Sequence, residues 1–312
     1  MEHKEKEWHM AYKNRIESGE LLILRILSRR MALTAEEHQN YLNLEKGFKG
    51  ETQFDELTES LQSPCIILND LLLEVNGSKF QIDTTIIFQE AIYPFEVKNY
   101  EGDFIYKPDR LERFSGKPYK NPLDQLKRSK FLFSQLLYNL GYNIPIEGSV
   151  VFINPEFTLY QAPPNEPIVF PTQINQLTKK LEMVPAKLTN RHFKIAEKLV
   201  SLHQIESPYT RLPPYKYNQI KKGFTCAICN SFSLIVSGDK LMCNHCGHQE
   251  KVEVAVLRNV EEIKLLFPDR RITSNCVHEW CGVVKSKKKI SRILTKNYKR
   301  IGQGKFSYYV DK

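Results

Sequence analysis

The spacing of apolar and polar positions divides the chain into a succession of elements. From residue 1 to about 47 the period is helical, with Leu21, Leu24, Ile26 and Leu27 as one apolar cluster. Thr34 and Glu37 form a capping-box pair, a hydroxyl and a carboxylate that each accept a backbone N–H at a helix start. Gly50 reads as the end of that helix or a loosened turn, and Phe54, Leu57 and Leu61 mark one face of a new helix. From Ile66 the pattern becomes strand-like. Asn76-Gly77 sits between two β-prone runs and signals a hairpin, because both residues tolerate positive φ. Strands are predicted near 65–75, 79–88 and 91–98, with a short one at 103–106. Pro118 to Pro122 reads as a loop. A helix then opens at Asn121, Pro122 in its first turn and Leu123, Leu126, Phe133, Leu136, Leu137 and Leu140 on its buried face. Strands at 149–153 and 157–160 and an amphipathic helix over 190–203 follow. Helix, three or more strands, helix, strand is the signature of an α/β core.

The length, 312 residues, suits two or three compact units. Pro208, Pro213 and Pro214 mark a linker. The predicted division is an N-terminal helical extension at 1–45, an α/β domain at 46–206, a linker at 207–220, a cysteine module at 221–254 and a basic unit at 255–312. No stretch approaches the roughly 18 uninterrupted apolar residues of a membrane helix. The first residues lack a signal-peptide core, so a cytoplasmic location is expected. A net charge of +9 and a pI near 9.0 favour polyanionic partners, nucleic acid first.

Candidate chemistry begins on the two strands at 79–98. Asp83 lies on the first. Glu96 and Lys98 lie on the second, two residues apart and so on one face. Two carboxylates and an ammonium at one spot can hold a divalent cation and a phosphate. The competing reading is a solvated strand face, but Thr85–Phe88, Phe95 and Val97 look buried, and charges on inner strands need partners. Glu51 falls in the first turn of its expected helix, where an acid ordinarily complements the helix dipole.

Gly50-Glu51 with Phe54, then Gln81-Ile82-Asp83, the run Phe95-Glu96-Val97-Lys98-Asn99-Tyr100-Glu101-Gly102, and Asn121-Pro122-Leu123-Asp124-Gln125 together resemble the nuclease-related domain, NERD, over about residues 46–160. That domain is grouped with the PD-(D/E)XK restriction-endonuclease-like fold. The resemblance implies metal-assisted phosphodiester hydrolysis. Asp83 and Glu96 would bind Mg²⁺ or Mn²⁺, and Lys98 would orient a water or stabilise developing charge. Glu51 would complete the metal shell or assist as a base, and Gln125 would position water or phosphate. Ile82 stands where the fold's name has proline.

Cys226-x-x-Cys229 and Cys243-x-x-Cys246, thirteen residues apart, predict tetrahedral Cys₄ coordination of a structural zinc ion, a zinc ribbon. Ser237 to Asp239 would turn the hairpin between the knuckles, and Gly247 suits a knuckle turn. A thioredoxin-like redox pair would need a single pair within a βαβ pattern, which is missing. His245 and His248 are read as bystanders.

Beyond it, Val260–Phe267, a short helix ending at Gly282, a helix over 286–301 and a strand at 305–310 resemble a winged helix in layout. The third helix would place Lys287, Lys288, Lys289, Arg292, Lys296, Lys299 and Arg300 on its polar face for salt-sensitive phosphate contacts. A solvated basic face is the alternative. Three functions remain open. The first is a metal-dependent nuclease acting on nucleic acid, DNA ahead of RNA. The second is a catalytically inactive nucleic-acid-binding protein on a nuclease-like scaffold, and the third a protein-docking module in the zinc ribbon and C-terminal unit. A homo-oligomer or other protein partner is left open.

Overall fold

The computed structural model describes residues 11–205, 210–284 and 286–312. Its helices are α1 (Gly19–Arg30), α2 (Ala35–Glu59), α3 (Pro122–Asn139), α4 (Ile174–Glu182), α5 (Asn190–Leu202), α6 (Val252–Leu266), α7 (Ser274–Cys281) and α8 (Lys287–Asn297). The strands of the α/β part are β1 (Ile66–Val75), β2 (Ser78–Ile87), β3 (Ile92–Lys98), β4 (Gly102–Tyr106), β5 (Arg110–Arg113), β6 (Pro118–Lys120), β7 (Ser149–Phe152), β8 (Phe157–Tyr160) and β9 (Ile168–Val169). Towards the C-terminus come β10 (Leu234–Ser237), β11 (Lys240–Cys243), β12 (Gln249–Lys251), β13 (Lys299–Ile301) and β14 (Tyr308–Val310).

The chain forms two compact units. Described residues up to Glu17 and between Leu42 and Tyr209 make the first, and Ser18–Tyr41 with Thr210–Lys312 make the second. The N-terminal segment is therefore divided between them. The cysteine module and the C-terminal residues, drawn apart in the sequence, share one core.

In the first unit a five-stranded sheet runs in the order β1-β2-β3-β7-β9, antiparallel through β1, β2 and β3 and parallel thereafter. Asn76 and Gly77 both adopt positive φ, 50° and 72°, so the turn joining Val75 to Ser78 matches the twist of the strands. Both faces are covered. Phe133, Leu136 and Leu137 of α3 with Ile195 and Leu199 of α5 pack on Leu68, Leu71, Leu73, Phe80 and Ile82. Phe54 of α2 and Leu181 of α4 pack on Ile67, Ile86, Phe95 and Val97. A second sheet, β6-β5-β4-β8, holds Pro118–Lys120 as a strand rather than the expected loop. Proline is tolerated there because β6 is an edge, where its missing N–H breaks no ladder bond.

Several expectations at the N-terminus need correcting. Residues 1–10 of the predicted extension lie outside the described residues, and 11–18 are not helical. The helix begins at Gly19, where Ser18 Oγ accepts the Leu21 N–H at 3.2 Å. The capping box is present: Thr34 N donates to Glu37 Oε2 at 2.8 Å and Glu37 N to Thr34 Oγ1 at 3.2 Å. The helix it starts does not stop at Gly50. It continues to Glu59, and Gly50 is there because α2 passes so close to Asn99 that an added Cβ would lie 2.5 Å from the Asn99 Cβ.

The second unit is built on α6, α7 and α8 around Trp280, with α1 delivering a buried Arg30 to Glu262 at 2.5 Å. The three-stranded β10-β11-β12 sheet runs directly into α6, which starts at Val252 rather than near Val260. The last helix ends at Asn297. Tyr298 turns extended, and residues 299–301 pair with 308–310 as a hairpin around Gly302, at φ 75°. Lys299 and Arg300 therefore sit on a strand and not on the helix face predicted for them.

Candidate functional site

The β2–β3 ladder carries its last paired residues at Thr84 and Phe95, and Asp83 and Glu96 come next on their strands. There the side chain replaces the backbone: Asp83 Oδ2 accepts the Val97 N–H at 2.7 Å. Asp83 and Glu96 are 8% and 6% exposed, so neither belongs to a solvated face. Lys98, on the same face as Glu96, places Nζ 2.5 Å from Glu96 Oε1. The three strand residues named from the sequence thus converge.

Glu51 comes to this place from α2. It lies in the helix interior, not the first turn, so dipole complementation does not account for it. Asp55, one turn further along, is buried beside it. Between them lies Arg15, which sequence reasoning missed. Its Nη1 donates to Glu51 Oε2 at 2.8 Å and its Nε to Asp55 Oδ2 at 2.7 Å. Its Nη2 donates to Asp55 Oδ1 at 3.0 Å and to the Asp83 carbonyl at 2.7 Å. The available signal was the acid pair Glu51 and Asp55 at i, i+4. Like charges at that spacing repel unless a cation lies between them.

Four carboxylates, Glu51, Asp55, Asp83 and Glu96, meet two cations, Arg15 and Lys98. With all six ionised the difference is two negative charges, and Lys13, whose Nζ donates to the Asp70 main-chain carbonyl, and the Asp70 carboxylate add one of each sign. The acids register it. Burial first, then the Asp83 charge, push the Glu96 carboxyl up to about 7. The same two causes push Glu51 to about 8, against the pull of Arg15. Burial likewise raises Asp83, opposed by Lys98 and the Val97 N–H. Burial disfavours the Lys98 ammonium, but Glu96 and Asp83 outweigh it and hold its pKa above the usual lysine value. An excess of two buried negative charges on hard oxygen ligands fits one divalent cation. Asp83 and Glu96, adjacent on paired strands, could hold it. The oxygens of Glu51, Asp83 and Glu96 do not all close to within 4.8 Å of one another, so the three do not form a tight triad.

Gln125 does not join the group. It is exposed on α3, whose N-cap Asn121 accepts the Leu123 N–H at 3.1 Å, and it makes no hydrogen bond to the acids or to Lys98.

Residues 46–153 match the family described as the nuclease-related domain. The chain carries a nuclease-related domain. No curated protein and no solved structure matches the chain. The matched residues include Glu51, Asp55, Asp83, Glu96 and Lys98, but Arg15 lies outside them.

Beyond the nuclease-related domain, the four cysteines form a candidate metal centre. Their Sγ atoms all lie within 4.8 Å of one another, the one such His, Cys, Asp or Glu group of three or more among the described residues. Cys226 to Cys246 is 3.6 Å and Cys229 to Cys243 is 3.5 Å, far beyond the roughly 2.05 Å of a disulfide. The residue after each pair takes positive φ, Asn230 at 59° and Gly247 at 73°, turning the chain so that both thiols of a pair face one point. The sequence suggested Gly247 for this; asparagine performs the same turn at 230.

Of the basic residues on α8, Lys287, Lys288 and Arg292 are exposed and free of ion pairs among the described residues. Lys289 Nζ donates to the Gly238 carbonyl at 2.8 Å, and Lys296 pairs with Glu253 at 2.9 Å. No helix among the described residues is long and apolar enough to cross a membrane.

Proposed function

We propose that the protein is a metal-dependent nuclease that hydrolyses phosphodiester bonds in nucleic acid, DNA ahead of RNA. The observation that carries this reading is the buried meeting of Asp83, Glu96 and Lys98 where β2 and β3 part. Asp83 and Glu96 would hold Mg²⁺ or Mn²⁺, with Glu51 beside them, and a bound divalent ion would supply acidification of a water and neutralisation of charge on the scissile phosphate. Lys98 stabilises the negative charge that develops on the phosphate oxygens or orients the attacking water. Glu51 would complete the metal shell or assist as a base. The exposed position of Gln125 gives it at most a contact to the nucleic-acid backbone.

The four thiolates hold a structural zinc. Tetrahedral coordination at Zn–S of about 2.3 Å places sulfurs about 3.8 Å apart, close to the 3.5 and 3.6 Å separations present. Helix, helix, helix and hairpin from α6 to β14 support a winged-helix-like unit, in which Lys287, Lys288 and Arg292 on α8 contact phosphates, joined by Lys299 and Arg300 from the hairpin.

The deciding assay incubates the protein with single-stranded, duplex and supercoiled DNA and with RNA, in Mg²⁺, Mn²⁺ or no added divalent ion, beside Glu96→Ala. Cleavage by the wild type alone, dependent on the metal, is expected. Equal cleavage by both proteins would mean a contaminant and a wrong site. Binding without cleavage would favour the scaffold reading instead.

A further inference from the structure

Residues 11–17 lie outside the matched domain, yet they reach its acids. The Tyr12 and Lys13 N–H groups donate to the Ile67 carbonyl at 2.9 and 3.3 Å, and the Asn69 N–H donates back to the Lys13 carbonyl at 2.9 Å. This lays the segment parallel to β1 at Lys13 and Leu68. Lys13 Nζ fastens it further, on the Asn69 and Asp70 carbonyls at 2.6 and 2.8 Å. Two residues on, Arg15 enters the site with its side chain 4% exposed.

What distinguishes Arg15 from a general counter-charge is how its donors are shared. The fork on Asp55, at 2.7 and 3.0 Å, fixes the plane of the guanidinium. With that plane set, Nη1 holds one oxygen of Glu51 and leaves the other for the site. Nη2 holds the main-chain carbonyl of Asp83, so it also steadies the backbone that presents the Asp83 carboxylate. One side chain thus ties together a helix acid and a strand acid that do not touch.

We infer that Arg15 is a positioning residue of the candidate metal site, fixing Glu51 and the Asp83 backbone in the arrangement that takes up a divalent cation. The inference rests on the metal-site reading of Asp83 and Glu96. It differs in sign from a purely electrostatic role. A bare counter-charge repels the incoming cation, so its removal tightens metal binding. A positioning group holds the ligands, so its removal loosens binding, typically by about 10–100-fold.

The test is Mn²⁺ titration of the full chain, zinc retained, with free Mn²⁺ followed by electron paramagnetic resonance. Wild type, Arg15→Gln, Arg15→Lys and Glu96→Gln are compared, with circular dichroism to establish folding. Arg15→Gln is expected to weaken Mn²⁺ binding by about 10–100-fold. Arg15→Lys, which keeps the charge but loses the fork, is expected to fall between it and the wild type. A folded Arg15→Gln that binds Mn²⁺ as tightly as wild type, or more tightly, overturns the inference. Should Arg15→Gln not fold, Arg15→Lys decides, and unchanged affinity there overturns it equally. Glu96→Gln separates the role of Arg15 from the metal site itself. If it binds Mn²⁺ like wild type, the metal-site reading fails. If it loses Mn²⁺ while the Arg15 variants keep it, only the role of Arg15 fails.

Discussion

Two glycines of α2, Gly47 and Gly50, allow the packing of that helix on the end of β3 to be tested directly. Both sit in a helix interior without positive φ, where glycine ordinarily costs about 0.5–1 kcal/mol relative to alanine. A Cβ added at Gly47 meets nothing within 4 Å, so Gly47→Ala should stabilise the first unit by that amount. A Cβ added at Gly50 would sit 2.5 Å from Asn99 Cβ and 3.0 Å from its Cγ. Asn99 has little freedom to yield. Its Nδ2 donates to the Lys46 carbonyl at 2.8 Å, and its Oδ1 accepts from Asn154 Nδ2 at 2.9 Å. Overpacking of this kind costs about 1–3 kcal/mol, which outweighs the helical gain. Gly50→Ala should therefore be destabilised by up to about 2 kcal/mol, leaving about 1–3 kcal/mol between the two variants. Urea unfolding of both, followed by circular dichroism, measures the difference. Gly50→Ala should also weaken Mn²⁺ binding, because the helix that moves away carries Glu51 in the next position. Equal stabilisation by both alanines would refute the close approach of α2 to Asn99 and the placement of Glu51 that depends on it.

Three further outcomes are expected. Glu96, raised from 4.5 to about 7, binds a proton more tightly in the folded than in the unfolded chain, so stability of the divalent-free protein should fall as pH rises from about 4.5 to about 7. The contribution is on the order of 3 kcal/mol; urea midpoints at pH 5 and pH 8 measure it in wild type against Glu96→Gln, which should reduce the dependence and leave the part that the raised Glu51 and Asp83 supply with the same sign, and Mn²⁺ should restore stability at pH 8. Cys226→Ser should abolish bound zinc in elemental analysis and raise hydrogen exchange in α6, since Cys226 and Cys243 belong to the same core as Val252 and Val256. Replacing Lys287, Lys288 and Arg292 together by alanine should weaken DNA binding and lower its salt dependence by about 0.9 in log–log slope for each phosphate no longer neutralised; an unchanged slope would exclude α8 from the interface.

Much of the first unit was legible in the sequence because its signals are local. Strand alternation, the Asn76-Gly77 turn, the Thr34 capping box and the Asn121 N-cap each involve residues within four positions of one another. The cysteine spacing is local too, and the four Sγ atoms meet as the spacing requires. What escaped depends on distant partners. A glycine that ends a helix and one that lets a helix approach a strand look alike until Asn99 is in place. Arg15 lay in a stretch read only as part of a helical extension, and its partners are Glu51, Asp55 and residue 83. Lys299 and Arg300 continued a helical stripe on paper, but the turn at Gly302 made pairing with β14 available and the chain took it.

The acids also lie where the sheet departs from regular alternation. Along β1 the residues packed towards α3 and α5 are Ile66 and Leu68, then Leu71, Leu73 and Val75. The period slips by one at Asp70, which adopts φ 55°. On β2, Phe80 and Ile82 face that layer, then Ile87, so the slip recurs around Asp83. An aspartate in the left-handed region costs of the order of 1–3 kcal/mol and persists only where its surroundings hold it. Here Lys13 Nζ binds the carbonyls on either side of the slip, and Gln81 Nε2 donates to Asp70 Oδ1 at 2.7 Å. A regular strand would have sent Asp83 and Thr84 to opposite faces of the sheet, both of them covered. At the slip that alternation is broken, and Asp83, Thr84 and Thr85 are buried in succession. Asp83 is thereby free to take the Val97 N–H and stand beside Glu96, while Thr84 contacts Asp55. The segment that carries Arg15 to the acids thus also carries the lysine that holds the distorted strand. Residues 11–17 therefore belong to the framework of the candidate site even though the family match begins at residue 46.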